Sequence, residues 1–154
     1  MSLEVNIRKQ IGKFKLEVSF DTGQEIFALL GASGCGKSMT LRCIAGIETP
    51  DEGRIVINGN VVYDSEKKIN VKPQKRNVGY MFQDYALFPN MTVEQNIMAG
   101  MGKHPSPKEV QQFVERFQLQ GLEAHLPAQL SGGQKQRVAL ARMMAAKPLS
   151  LIHI

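Results

Sequence analysis

The sequence predicts an α/β protein, and three observations carry that prediction. Residues 26–30 are an unbroken apolar run, followed at once by the glycine-rich stretch GASGCGKS at 31–38 and by a helix-like stretch over 39–45 that stops at Gly46. Short apolar stretches with strand character crowd the first half of the chain. The second half instead carries helix-start signals and one clear apolar stripe at helical spacing.

In chain order, residues 15–20 alternate, with Leu16, Val18 and Phe20 on one face, the pattern of a half-buried strand. Asp21-Thr22-Gly23 turns the chain into the apolar run at 26–30. Pro50-Asp51-Glu52-Gly53 is a second turn. Ile55-Val56-Ile57, Asn58-Gly59 and Val61-Val62-Tyr63 then read as a β-hairpin, because Asn-Gly supplies the left-handed residues of a tight turn. Residues 64–77 are polar and read as loop, and 78–82 as a short strand ending at Gln83-Asp84.

Beyond that point, Thr92 with Gln95 forms a capping box ahead of a helix running to about Gly100. Ser106 with Glu109 forms another, with Pro107 at the first helical position. Val110, Phe113, Val114 and Phe117 recur at i, i+3, i+4, i+7, an apolar stripe, and Gly121 reads as the end of that helix. A further helix is predicted from Gly132 to about Ala146, stopped by Pro148.

The chain has 154 residues, 43% of them apolar and 21% charged, enough for a real core and ordinary for a globular domain. The net charge of +5 comes with no Lys/Arg-rich block, so it suits a polyphosphate ligand and gives no support to a nucleic-acid partner. Cys35 and Cys43 have no metal-ligand spacing, and a reducing compartment is the simple expectation. No signal peptide and no apolar run of membrane-spanning length is seen, so the chain is expected to be soluble or to reach a membrane through partners.

GASGCGKS matches the phosphate-binding pattern GxxxxGKS/T. Glycines at 31, 34 and 36 allow the loop to curl so that its N–H groups form a nest for an anion. The following helix adds free N–H groups and a positive dipole end. Gly31, Ala32, Ser33, Gly34, Cys35, Gly36, Lys37, Ser38 and Met39 are thus candidate nucleotide-binding residues. Lys37 is placed to neutralise the terminal phosphates, and the Ser38 hydroxyl to ligate Mg²⁺. Gln83, at a strand end, either is a polar sheet-edge residue or reaches the metal or the attacking water through its amide.

Leu130-Ser131-Gly132-Gly133-Gln134 opens the last helix. Its glycines and hydroxyl at a helix N-terminus make either a second anion site or an ordinary N-cap. Arg137 and Arg142 on that helix fit a solvated face. His104 and His125 sit in polar stretches and read as surface residues, while Met39, Met143 and Met144 read as core packing.

Three stretches together resemble one family. GASGCGKS at 31–38, VGYMFQDYALFP at 78–89 and LSGGQKQRVALAR at 130–142 are similar, in order and spacing, to the Walker A, Q-loop and signature segments of ATP-binding cassette (ABC) ATPases. EKKINVKPQKRNVGYMFQDYALFPNMTVEQNI looks closest to the ATPase subunits of molybdate, tungstate or sulfate importers. The resemblance implies a P-loop NTPase fold, with a RecA-like core, an antiparallel β subdomain and a helical subdomain over about 86–140. It implies ATP and Mg²⁺ as ligands, with Lys37 and Gln83 as catalytic residues and Ser38 and Gln83 near the metal. ATP would lie between two cassettes arranged head to tail, with Ser131, Gly132 and Gly133 touching the partner's γ-phosphate and Gln134 shaping the motif. The segment after Gln83 would dock a transmembrane permease, placing the protein at the cytoplasmic face of the membrane. The whole implies an ATP-hydrolysing subunit of an importer, for an oxyanion such as molybdate. The alternative is a nucleotide-binding module that does not hydrolyse ATP.

Two departures accompany the resemblance. The family has an aromatic residue for adenine upstream of the loop, and Phe14 is the aromatic nearest that place. After residues 147–148 the family continues with an apolar strand ending in Asp-Glu, where this chain reads LSLIHI at 149–154. The resembling domain therefore spans 1–148 and stops before Walker B, and hydrolysis is not expected of these 154 residues alone. Residues 149–154 back-translate, codon by codon, to CTG TCT CTT ATA CAC ATC, the string of a transposon-end sequencing adapter. They are expected to be non-native.

Overall fold

The computed structural model describes residues 2–23, 27–102, 105–148 and 150–153. It divides into two compact units, Met1–Val78 and Gly79–Ile154.

The first unit is built on a five-stranded antiparallel sheet of order β2-β1-β3-β4-β5. β1 (Leu3–Ile11) and β2 (Phe14–Thr22) form a hairpin, Leu3 opposite Thr22 and Ile11 opposite Phe14. β1 was not foreseen, although Leu3, Val5 and Ile7 alternate with polar residues and are buried, the period-2 signal of a one-sided strand. β3 (Glu52–Ile57) and β4 (Asn60–Asp64) form the hairpin expected from Asn58-Gly59, whose φ angles of 49° and 76° are the left-handed pair that a tight hairpin needs. The polar stretch 64–77 is not wholly loop. Ile69–Asn70 adds a short strand, β5, opposite Tyr63 and Asp64, and Pro73–Lys75 forms one 3₁₀ turn.

Helix α1 (Lys37–Ala45) follows the glycine loop and ends at Gly46, whose φ is 80°. The expected strand before the loop is absent over residues 27–30, and Ile26 lies outside the described residues. An apolar run becomes a strand only when a neighbour takes its N–H and C=O groups. No described strand pairs with this one, and Leu30 is 92% exposed.

The second unit holds α2 (Val93–Gly100), α3 (Pro107–Arg116) and α4 (Gly132–Ala145). β6 (Val78–Met81), whose first residue closes the first unit, pairs with β7 (Ser150–His153). The Thr92–Gln95 box caps α2 in both directions, at 3.2 and 2.9 Å. Val110 and Val114 are buried, and Phe113 and Phe117 stack on each other beside the same cluster of Val93, Ile97, Leu119, Leu130 and Val138. α3 ends at Arg116, before Gly121, because Gln118 already takes φ 52° and turns the chain. A Cβ at Gly100 would fall on the Arg142 carbonyl, so α2 and α4 approach backbone to backbone there.

Candidate functional site

Residues 31–35 are exposed, and the loop passes into α1 at Gly36, the N-cap residue. Gly36 takes φ 96°, and a Cβ there would come within 2.5 Å of Leu16 Cδ1, so this position tolerates only glycine. The first N–H of the helix to be satisfied internally is that of Thr40, which donates to the Gly36 carbonyl at 2.9 Å. Lys37, Ser38 and Met39 therefore lie in the first turn, whose N–H groups have no i−4 partner and face the positive end of the helix dipole. Thr40, buried, also returns its hydroxyl to the Gly36 carbonyl at 3.0 Å, which pins the turn.

Lys37 folds back over the loop. Its ammonium donates to the carbonyls of Gly31 and Ala32, both at 2.7 Å, and lies 3.6 Å from Cys35 Sγ. The arrangement gathers a fixed cation, a left-handed glycine turn and a helix N-terminus, the elements that hold a polyphosphate. The Ser38 hydroxyl stands at the second position of α1, half-buried. One hydroxyl fits Mg²⁺, which keeps several waters and draws its remaining ligands from phosphate oxygens. Among the described residues there is no cluster of His, Cys, Asp or Glu that would hold a metal by itself.

Phe14, the aromatic that the sequence puts nearest the loop, lies beside Gly36. The Phe14 ring is 40% exposed, and its edge lies 3.4 Å from the Cβ position of Gly36. β2 begins at Phe14, so the hairpin register with Ile11 fixes this ring beside the loop. Cys35 is an exposed thiol, while Cys43 is fully buried on α1. Burial pushes the Cys43 thiol up to about 11, which keeps it neutral and unreactive.

Gln83, in the second unit, is exposed in the turn after β6. In the 130–134 stretch Leu130 is buried and anchors the start of α4. Ser131 Oγ accepts the Gln134 N–H at 3.3 Å, and Gln134 Oε1 accepts the Ser131 N–H at 2.8 Å. This reciprocal box leaves Gly132 and Gly133 exposed, with nothing packed where their Cβ atoms would stand.

Three readings change: Arg137 is half-buried, with its Nε shut off from solvent. Arg142 is not on a solvated face. Its guanidinium donates to the carbonyls of Ala86 at 2.8 Å and Tyr85 at 3.2 Å and lies 5.0 Å from the Phe88 ring centre. The signal was available, since Arg142 sits within the stripe of Val138, Ala139 and Ala145, on the buried side of α4. His125 is half-buried rather than a surface residue, because its own segment is tied to α2 through the Val93 N–H at 2.9 Å. His104 lies outside the described residues.

A family model described as ABC transporter matches residues 15–153. The chain is 40% identical over 153 residues to a molybdenum import ATP-binding protein of Rhodospirillum rubrum, covering 97% of this chain and 41% of that protein. It is 44% identical to a sulfate/thiosulfate import ATP-binding protein of Synechocystis, covering 96% of this chain and 42% of that protein. The chain thus spans about two fifths of the length of these relatives. Among solved structures, a dimeric ATP-binding cassette, MJ0796, in a post-hydrolysis state with ADP and Pi, superposes with a TM-score of 0.78 at 25% identity, covering 99% of this chain and 73% of that one. With a glycine-rich loop leading into α1, a capped LSGGQ helix start and a family match across most of its length, the chain belongs to the ABC transporter family of ATP-binding cassettes.

Proposed function

We propose that this chain is the ATP-binding part of the ATPase subunit of an ABC importer. The observation that carries the reading is the loop at 31–38. There Lys37 is held over the Gly31 and Ala32 carbonyls beside the open first turn of α1. In this reading the loop N–H groups and Lys37 take the β- and γ-phosphates, Ser38 gives one ligand to Mg²⁺, and the exposed Phe14 ring takes the base. Gln83 senses the metal and the water, and Leu130, Ser131, Gly132, Gly133 and Gln134 meet the nucleotide of a second, head-to-tail cassette. The dimeric state of the solved cassette supports that pairing. Residues 86–140 form the helical subdomain that faces a transmembrane permease at the cytoplasmic side of the membrane. No described helix is long and apolar enough to cross a membrane itself. The relatives' names, molybdenum import and sulfate/thiosulfate import, support an oxyanion such as molybdate as cargo.

Titration with a fluorescent ATP analogue and Mg²⁺ tests the nucleotide site. Lys37→Ala removes a charge-assisted phosphate contact of about 2–3 kcal/mol, roughly a 30- to 150-fold rise in Kd. Equal affinity in the two proteins overturns the assignment. Uptake of labelled molybdate and sulfate by cells lacking the gene separates the two cargoes.

A further inference from the structure

The turn that follows Gln83 is strained. Tyr85 and Ala86 take φ angles of 61° and 43°, consecutive left-handed residues without a glycine. Such a conformation persists only where its surroundings over-determine it. Three contacts do so here. Asp84 Oδ1 accepts the Ala86 N–H at 3.2 Å. Arg142 takes both left-handed carbonyls, Tyr85 and Ala86, in one planar fork, and its guanidinium lies against the Phe88 ring. Arg142 is half-buried, and no carboxylate is paired with it among the described residues. Its charge is balanced by carbonyl dipoles and a ring face, and burial lowers its pKa.

A half-buried cation without a counter-ion adds little stability for its desolvation cost. What it supplies is a link. We propose that Arg142 is a positioning residue that locks the turn after Gln83 to α4, so that this turn and the Ser131–Gln134 helix start move as one body. The close approach of α2 and α4 at Gly100, against the Arg142 carbonyl, keeps the arginine's own backbone from giving way. A lysine cannot substitute, because one ammonium does not span two carbonyls and stack on a ring at once. The importance of such a link rests on the importer reading, in which the turn faces the permease and the helix start faces the second nucleotide. The link itself is tested without nucleotide.

Hydrogen exchange and ¹⁹F spectra of protein labelled with 3-fluorotyrosine read it directly, since the tyrosines are Tyr63, Tyr80 and Tyr85. In Arg142→Gln, exchange over residues 84–88 should rise at least tenfold, exchange over α4 less than twofold, and the Tyr85 resonance should move while Tyr63 stays. Arg142→Lys should raise exchange in the turn to a lesser degree. Phe88→Leu, which removes the ring face and spares both hydrogen bonds, should raise it about threefold and covers the case in which Arg142→Gln does not fold. Unchanged exchange over 84–88 in the folded variants overturns the proposal. So does a rise of equal size through α2, α3 and α4, which would make Arg142 a bulk stability residue. The Lys37→Ala titration is independent, so failure of the link and failure of the nucleotide site are distinguishable.

Discussion

Arg76 closes the C-terminal end of α1: its Nη1 donates to the Ile44 carbonyl at 2.9 Å, and to that of Cys43 at the same distance. The guanidinium is completed by the Val71 carbonyl and Asn70 Oδ1, and the residue is 4% exposed. A cation at a helix C-terminus is favoured by the dipole and satisfies carbonyls that the helix cannot. The arginine therefore fixes one end of α1 while the glycine loop leads into the other. Arg76→Ala should cost on the order of 3 kcal/mol, because several buried carbonyls lose their donor. Urea denaturation measures it, and a loss below about 0.5 kcal/mol, the size of an ordinary surface change, would contradict the role.

Asn96 is fully buried and satisfied by one short segment. Its Oδ1 accepts the Phe88 N–H at 3.0 Å, and its Nδ2 donates to Phe88, Met91 and Thr92 carbonyls at 2.9–3.2 Å. Asn96→Ala should destabilise by roughly 2–4 kcal/mol through lost partners. Asn96→Asp should be worse at pH 7, since an ionised carboxylate has no donor for three carbonyls. Protonation returns one donor, so the gap between the two variants should narrow as pH falls toward 4. Denaturation at pH 7 and pH 4.5 checks both the order and its direction.

The two cysteines should separate cleanly. Cys35 is exposed and Cys43 buried, so a thiol reagent at pH 8 should modify one thiol rapidly and the second only on unfolding. Mg·ATP should slow the rapid reaction, and Cys35→Ser should abolish it. The Cys43 thiol is raised from 9.0 to about 11, chiefly by burial. The folded state thus holds that proton more tightly than the unfolded state. Its contribution is complete below about pH 9 and is lost as pH rises through about 11. Stability measured from pH 8 to 11 should fall across that window in the wild type and fall less in Cys43→Ala.

Residues 149–154 carry a prediction at the level of the gene. If they are non-native, their codons read CTG TCT CTT ATA CAC ATC in order, which the nucleotide sequence under residues 149–154 checks. Any other codon set removes that account. Ser150–His153 pairs with β6, as a short apolar stretch does with an open strand edge.

The sequence by itself determined the features whose physics is local. Thr92 with Gln95, the Asn58-Gly59 hairpin and the glycine loop entering α1 each act within a few residues, and the structure shows each as expected; Ser131 with Gln134 is equally local, and forms a reciprocal cap where the residues alone left an anion site or an N-cap open. Alternation in β1 is equally local, with Leu3, Val5 and Ile7 buried between polar residues. What only the tertiary structure decided are pairings across long stretches of chain. Arg142 reads as a surface charge until α4 folds against the turn at 85–86, and Arg76 as a loop residue until it reaches the Cys43 and Ile44 carbonyls. Phe14 gained its place beside Gly36 through the β1–β2 register, not through its own neighbours. Residues 27–30 give the converse case. Their composition favours a strand, but a strand is completed by a neighbour's backbone, and propensity without that partner leaves Leu30 in solvent.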